Sequence, residues 1–127
     1  MSGYQQYFGE TQQLVRQSIT RFVDQEIRPH VETWEEAGEI PRDLYLKAGE
    51  AGLLGIGHPE ELGGTGPDVF SKIAASEALM GCGSGGLVAS LGSLDIGLPP
   101  VWKWGSPALK ERICPPVIRG EKIQCLA

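Results

Sequence analysis

The chain has 127 residues, of which 41% are hydrophobic and 21% are charged, and its formal net charge is −5. This length suggests one domain that buries enough apolar surface to fold without disulfides or a metal. The acidic balance argues against nucleic acid as a partner, because phosphate binding needs a basic face. The N-terminus shows no leader pattern, and no apolar stretch is fit to cross a membrane.

The three cysteines, Cys82, Cys114 and Cys125, are widely spaced and include no CxxC pair. An odd count with these spacings does not indicate a disulfide framework. We interpret them as small, buried, apolar residues of a protein in a reducing compartment.

The first part of the chain predicts three helices. Residues 10–27 carry apolar residues at helical spacing, with Thr11 as the predicted N-cap and Pro29 as the end of the run. A short helix is predicted before Gly38. A third begins at Pro41, a residue suited to a first helical position, and ends at Gly52.

The middle of the chain predicts a buried connector, a loop and two helices. "LLGIG" suits the connector, and the glycine-rich "HPEELGGTGP" reads as a plain loop, since it matches no phosphate-binding pattern. In the helix over residues 67–81, Glu77 shares the apolar face and needs a partner if buried. After a glycine-rich break, residues 87–105 are apolar almost all round, which predicts one central helix. Asp95 interrupts this helix and is expected at a helix end or paired with Lys or Arg.

The last helix begins with Ser106 as N-cap and Pro107 at its first position. The pair Pro115 and Pro116 is expected to break it. The closing "IQCLA" resembles the first residues of a strand. The predicted fold class is therefore all-α, an up-and-down helical bundle of about five or six helices ending in an incipient strand.

Residues able to support catalysis are few. His30 and His58 have no Cys, Ser or second His at ligand or triad spacing, so we expect exposed or locally hydrogen-bonded histidines. We assign no catalytic residue and no metal ligand. On these residues alone, a non-catalytic helical binding or assembly module remains open beside a part of an enzyme.

Two segments carry a resemblance to a known family. They are "AGLLGIGHPEELGGTG" and "WGSPALKERICPPVIRGEKI", which occur in the right order and at the right spacing. Together with the flanking sequence, they resemble the N-terminal helical domain of the acyl-CoA dehydrogenases over nearly the whole chain. These flavoenzymes oxidise the Cα–Cβ bond of acyl-CoA thioesters: a glutamate removes the α-proton, and flavin N5 takes the β-hydride.

The resemblance implies a division of the chain and several partners. Residues 1–120 correspond to the helical domain, and residues 121–127 to the start of a middle β-domain. The glutamate base and most of the FAD site lie in domains expected beyond this chain, so we expect it to be inactive alone and not to retain FAD. Acyl-CoA, electron-transfer flavoprotein and a homo-oligomeric parent enzyme are implied, in a bacterial cytoplasm or a mitochondrial matrix. A related flavin oxidase or monooxygenase on the same scaffold is an alternative.

The resemblance also implies site residues. Ser90, Gly92, Ile96 and Pro99 fall at or near positions that face the acyl-chain pocket, although helix packing explains their small side chains equally well. A glycine at position 92 would leave the pocket deep, which suggests a medium or long acyl chain. Leu126 falls at the start of the strand that contacts the flavin.

Overall fold

The computed structural model describes Gly3 and residues 5–127, and all the regular secondary structure within these residues is helical. Within them, seven α-helices follow one another along the chain, and no strand is formed, which confirms the all-α prediction. Short 3₁₀ turns lie at Gln5–Tyr7 and Glu60–Leu62. The α-helices are α1 (Glu10–Phe22), α2 (Val31–Ala37), α3 (Arg42–Glu50), α4 (Val69–Met80), α5 (Gly85–Gly92), α6 (Leu94–Trp104) and α7 (Pro107–Ile118).

Helix α1 begins two residues earlier than the predicted N-cap implies. Gly9, not Thr11, is the N-cap, and the Gln12 side-chain oxygen accepts a hydrogen bond from the Gly9 backbone N–H (2.9 Å). At its other end, α1 continues into a π-helical turn, Val23–Ile27, so the predicted extent is correct. The buried face of α1 packs mainly against α4.

The stretch predicted as one central helix consists of two helices, α5 and α6, which meet at Ser93. The Ser93 hydroxyl oxygen lies 3.0 Å from the backbone oxygen of Ser90 and 2.6 Å from that of Gln124. The contact with Gln124 comes from the C-terminal segment, 31 residues away. A tertiary contact therefore accompanies the break between the helices.

The expectation that Pro115 and Pro116 break the last helix is wrong, because α7 runs through both to Ile118. Proline at these positions removes the N–H groups that would bond to the carbonyls of Glu111 and Arg112. Both of those residues are exposed, so water can reach their carbonyls. Burial of the last turn of α7 holds the helical path. The predicted start is correct, since the Ser106 side chain caps the N–H of Leu109.

Residues 121–127 follow α7 without forming a strand. A strand needs a neighbouring strand for its backbone hydrogen bonds, and none exists in the described residues. The segment is attached to the helices instead. The Arg42 guanidinium donates to the backbone oxygens of Gly120 (3.0 Å) and Glu121. The Gln124 side chain fills the space that a Cβ on Gly97 would need.

Gly120 allows the chain to turn out of α7. Its φ is +76°, a conformation that favours glycine, and a Cβ there would collide with the backbone oxygen of Tyr45. Gly120 is therefore required for both the turn and the close approach to α3.

One apolar core joins the helices and the connector between α3 and α4. As predicted, "LLGIG" is a buried connector, with Leu53, Leu54 and Ile56 all less than 10% exposed. Helix α2 has no buried residue, but Val31 and Trp34 pack against the core. Helix α6 buries Leu98 completely.

Truncation of Leu98 tests this packing. Leu98→Ala leaves a cavity in a fully buried position, so we expect the free energy of unfolding to fall by about 2–5 kcal/mol in denaturant titrations. The matched control is Ile96→Ala in the same helix, where the side chain is 63% exposed and the expected change is within about 0.5 kcal/mol. Equal losses in the two variants would contradict the assigned face of α6.

Candidate functional site

Helices α5 and α6 present an open surface where the sequence places the candidate pocket residues. A Cβ built on Gly85, Gly86 or Gly92 would meet no atom within 4 Å, and Ile96 is 63% exposed. The small residues of α5 thus leave uncovered space beside the backbone. Such a surface can accept another element or an apolar chain.

The four predicted acyl-pocket residues do not share one cavity. Ser90 lines a cleft of about 210 Å³ between α2 and α5. Gly92 lines a crevice of about 60 Å³ between α4 and the α5–α6 pair. Pro99 lines a wider cleft of about 370 Å³, and Ile96 lies exposed on the surface. Their role in an acyl pocket stays a prediction.

Leu126, the residue predicted to contact a flavin, is 74% exposed. The crevice beside its neighbours Ile123 and Gln124 measures about 10 Å³, which is far too small for an isoalloxazine ring. Leu126 itself does not line this crevice, and its contact with a flavin stays a prediction. We derive no catalytic step through a flavin from these residues.

A partly buried polar cluster centres on Asp95. Its Oδ1 lies 3.0 Å from Nε2 of His58 and also accepts a hydrogen bond from Nζ of Lys72. Lys72 Nζ donates further to the backbone oxygen of Ile56 (3.0 Å). The carboxylate in α6 is thereby linked to α4 and to the connector that precedes the 3₁₀ turn.

The charges of this cluster control the ionisation of Asp95. Burial alone raises the pKa of Asp95, but the hydrogen bonds and charges of His58 and Lys72 outweigh burial and hold this pKa below its ordinary value of 3.8. An ionised carboxylate only accepts hydrogen bonds, so His58 donates to it from Nε2–H.

Sequence reasoning identified Asp95 but missed His58. The prediction that Asp95 pairs with a cationic side chain agrees with the contact to Lys72. The expectation of an exposed or locally bonded His58 is wrong, since the residue is 3% exposed and its partner is 37 residues away. The available signal was its position directly after the apolar connector.

Two other sequence expectations are resolved by exposure. Glu77 is not buried and forms an ion pair with Arg16 (2.5 Å) on the surface. The interpretation of the cysteines as buried is correct for Cys82 and Cys114 and wrong for Cys125, which is exposed.

In the described part of the chain, no cluster of His, Cys, Asp and Glu could hold a metal ion. No helix there has the length and apolarity to cross a membrane.

The Asp95 cluster predicts a pH dependence of stability. A carboxylate with a lowered pKa in the folded state stabilises the fold above its unfolded pKa, and this stabilisation disappears as the pH falls through the folded pKa. We therefore expect the native protein to be more stable than Asp95→Asn at pH 7. The difference should shrink as the pH is lowered below about 4.

Urea titrations of both proteins between neutral and acidic pH measure this difference. Asp43→Asn is the matched control, because Asp43 is exposed and pairs with Lys47 only at the surface. A stability difference between the native protein and Asp95→Asn that stays constant across the whole pH range would contradict the role of the Asp95 charge.

Comparisons with known proteins agree with this architecture. Residues 9–121 match the family model of the acyl-CoA dehydrogenase N-terminal domain. The chain is 37% identical over 86% of its length to the probable acyl-CoA dehydrogenase YngJ of Bacillus subtilis (strain 168). It is 35% identical over 98% of its length to the mitochondrial long-chain specific acyl-CoA dehydrogenase of Rattus norvegicus. The chain spans 29% of the length of each of these relatives.

A solved structure gives the same result in three dimensions. A probable acyl-CoA dehydrogenase from Mycobacterium abscessus superposes with a TM-score of 0.86 and 42% identity, over 92% of this chain and 31% of that one. The family model covers most of the described helices, from the start of α1 to the end of α7. The chain therefore belongs to the acyl-CoA dehydrogenase family, as an N-terminal helical domain.

Proposed function

We propose that this chain contributes the N-terminal helical domain of an FAD-dependent acyl-CoA dehydrogenase, which oxidises the Cα–Cβ bond of an acyl-CoA thioester. The match of residues 9–121 to the family's N-terminal domain carries this proposal. The open surface of α5 and α6 supports it, because an apolar wall with small side chains suits an acyl chain.

The proposed role of this domain is to bind and orient the acyl chain. Gly92 stands on the open side of α5 and also lines the crevice beside α4, where a side chain would take up space. Ser90, Ile96 and Pro99 extend the same pair of helices in both directions. We propose that another part of the enzyme covers this surface and closes the pocket over the substrate.

The redox chemistry is proposed to come from elsewhere in the enzyme. When bound, FAD supplies the acceptor for the substrate's hydride, and a carboxylate base takes the α-proton. Leu126 is exposed, and we assign no base in this chain. We propose that both functions belong to the part of its relatives' length that this chain does not span, with electron-transfer flavoprotein as the electron acceptor.

A chimera tests the proposed function directly. The N-terminal segment of YngJ that matches this chain is replaced by residues 1–127, and acyl-CoA-dependent dye reduction is measured. We expect a flavin-containing, active chimera, whereas YngJ lacking its N-terminal segment should be inactive. A chimera that folds and holds flavin but does not oxidise any acyl-CoA from four to sixteen carbons would contradict the proposal.

Thermal melting of the 127-residue chain distinguishes the proposed enzyme domain from the alternative, an independent binding module. With the pocket open on one side, octanoyl-CoA should leave Tm nearly unchanged. A clear, saturable rise in Tm would instead favour a module that binds acyl-CoA without the rest of an enzyme, because ligands that bind the native state raise stability.

Gly92 tests the depth of the pocket in the active chimera. Gly92→Glu places a charged side chain where an acyl chain is proposed to lie, and desolvating that charge is costly. We expect kcat/KM for dodecanoyl-CoA to fall at least about tenfold more than kcat/KM for butanoyl-CoA.

Gly85→Glu is the matched control for this variant. Gly85 also has open space around its Cβ position, but it lies at the start of α5 and away from the crevice. Its substitution should leave the ratio of the two kcat/KM values unchanged. Equal effects of Gly92→Glu on both substrates would count against an acyl chain at Gly92.

A further inference from the structure

The C-terminal segment, residues 121–127, is joined to the helices at two places. At its start, Arg42 of α3 donates a hydrogen bond to the backbone oxygen of Gly120 (3.0 Å). Further along, the backbone oxygen of Gln124 lies 2.6 Å from the hydroxyl oxygen of Ser93, which stands at the junction of α5 and α6. The second contact therefore connects the segment to the pair of helices that we propose to carry the acyl chain.

The side chain of Gln124 is seated in a notch of α6. The notch exists because position 97 is glycine: Cγ, Cδ and Nε2 of Gln124 all lie within 3.0 Å of the point where a Cβ of Gly97 would be. Gly97 is buried and Gln124 is half-buried, whereas the residues on either side of Gln124 are exposed. Because glycine is unfavourable in the interior of a helix, its presence here indicates that the free space is needed.

The notch lies in the turn of α6 that carries two candidate acyl-contact residues. Ile96 directly precedes Gly97, and Pro99 follows it by two positions. The open space beside Gln124 measures only about 10 Å³, which is too small for an acyl chain. Any effect of Gln124 on a reaction must therefore pass through the position of α6 relative to the segment.

We propose that Gln124 is a positioning residue for the acyl-CoA oxidation proposed above, and this inference rests on that proposed function. Seated at Gly97 and held by Ser93, Gln124 fixes the C-terminal segment against the turn of α6 that carries Ile96. In the chimera described above, the segment leads directly into the YngJ sequence that is to supply the redox chemistry. Gln124 thereby holds the acyl chain at one position relative to the groups that react with it.

A small displacement at this contact is enough to affect the rate. Oxidation needs the Cα–Cβ bond at a defined distance from the reacting groups, and a misplacement of about 1 Å can lower a rate about a hundredfold. Loss of the Gln124 side chain leaves the contact of Arg42 with Gly120 in place. The domain should therefore still fold, while the segment is free to shift along α6.

Kinetics of the active chimera test the positioning role. Gln124→Ala empties the notch, and we expect kcat for octanoyl-CoA, expressed per bound flavin, to fall at least about tenfold. KM should change less than about threefold, because the side chains of α6 that face the acyl chain are unchanged. A role in packing alone would lower the amount of folded enzyme and leave kcat per bound flavin as it was.

Two further variants of the chimera serve as rescue and control. Gln124→Met keeps a side chain of similar length without the amide, and it should bring kcat to within about threefold of the native value, because the notch is filled by shape. Gln13→Ala is the matched control, since Gln13 is an exposed glutamine of α1. It should change neither kcat nor KM.

Melting of the 127-residue chain tests the seat without any activity. Gly97→Ala places a methyl group in the volume that the Gln124 side chain occupies, so it should lower Tm. In the Gln124→Ala background, the same substitution meets an empty notch. It should then leave Tm unchanged or raise it, because alanine favours a helix more than glycine does.

Two results would overturn the inference and leave the proposed function standing. One is an active native chimera whose Gln124→Ala variant has the same kcat, which would assign Gln124 to packing only. The other is an equal loss of Tm from Gly97→Ala in both backgrounds, which would show that Gln124 does not occupy the notch. A native chimera that holds flavin but oxidises no acyl-CoA contradicts the proposed function itself, and the inference falls with it.

Discussion

The carboxylate of Asp95 is the polar contact on which the arrangement around α6 depends. Through one oxygen it reaches His58 in the connector and Lys72 in α4, and Lys72 in turn holds the backbone of Ile56. Three segments that are distant in sequence thus meet at one charge. Because even a partly buried ionised group is costly without partners, this requirement restricts how α4, α6 and the connector can pack. The ion pair of Lys72 and Asp95 lies between the crevice at Gly92 and the cleft at Pro99, since both residues line both spaces.

Much of the helical architecture follows from local sequence. Apolar spacing located α1 and α4, and Ser106 with Pro107 located the start of α7. The predictions of helix ends fail where contacts between residues distant in sequence determine the structure. The break at Ser93 involves a contact with Gln124, which no local pattern contains. The last turn of α7 keeps its path through two prolines because its buried side chains outweigh the lost backbone bonds, whereas the local rule for proline considers only those bonds.

The candidate site, like the fold, follows from local sequence only in part. That Asp95 needs a partner follows from a carboxylate in an apolar run, but the identity of both partners depends on the tertiary fold, since Lys72 and His58 are 23 and 37 residues away. The positions of Ser90, Gly92, Ile96 and Pro99 came from family resemblance, which gives an alignment and no cavity. Their distribution over separate clefts depends on how α2, α4 and α6 pack around α5.

The contact between Gly97 and the side chain of Gln124 has an evolutionary consequence. Glycine at position 97 is buried in the middle of α6, and the long glutamine of the C-terminal segment occupies the volume where a Cβ would project. The two positions therefore share one volume, although they belong to different segments of the chain. Among homologues, any side chain at position 97 should be accompanied by a shorter residue at position 124, so that the two positions vary together rather than independently.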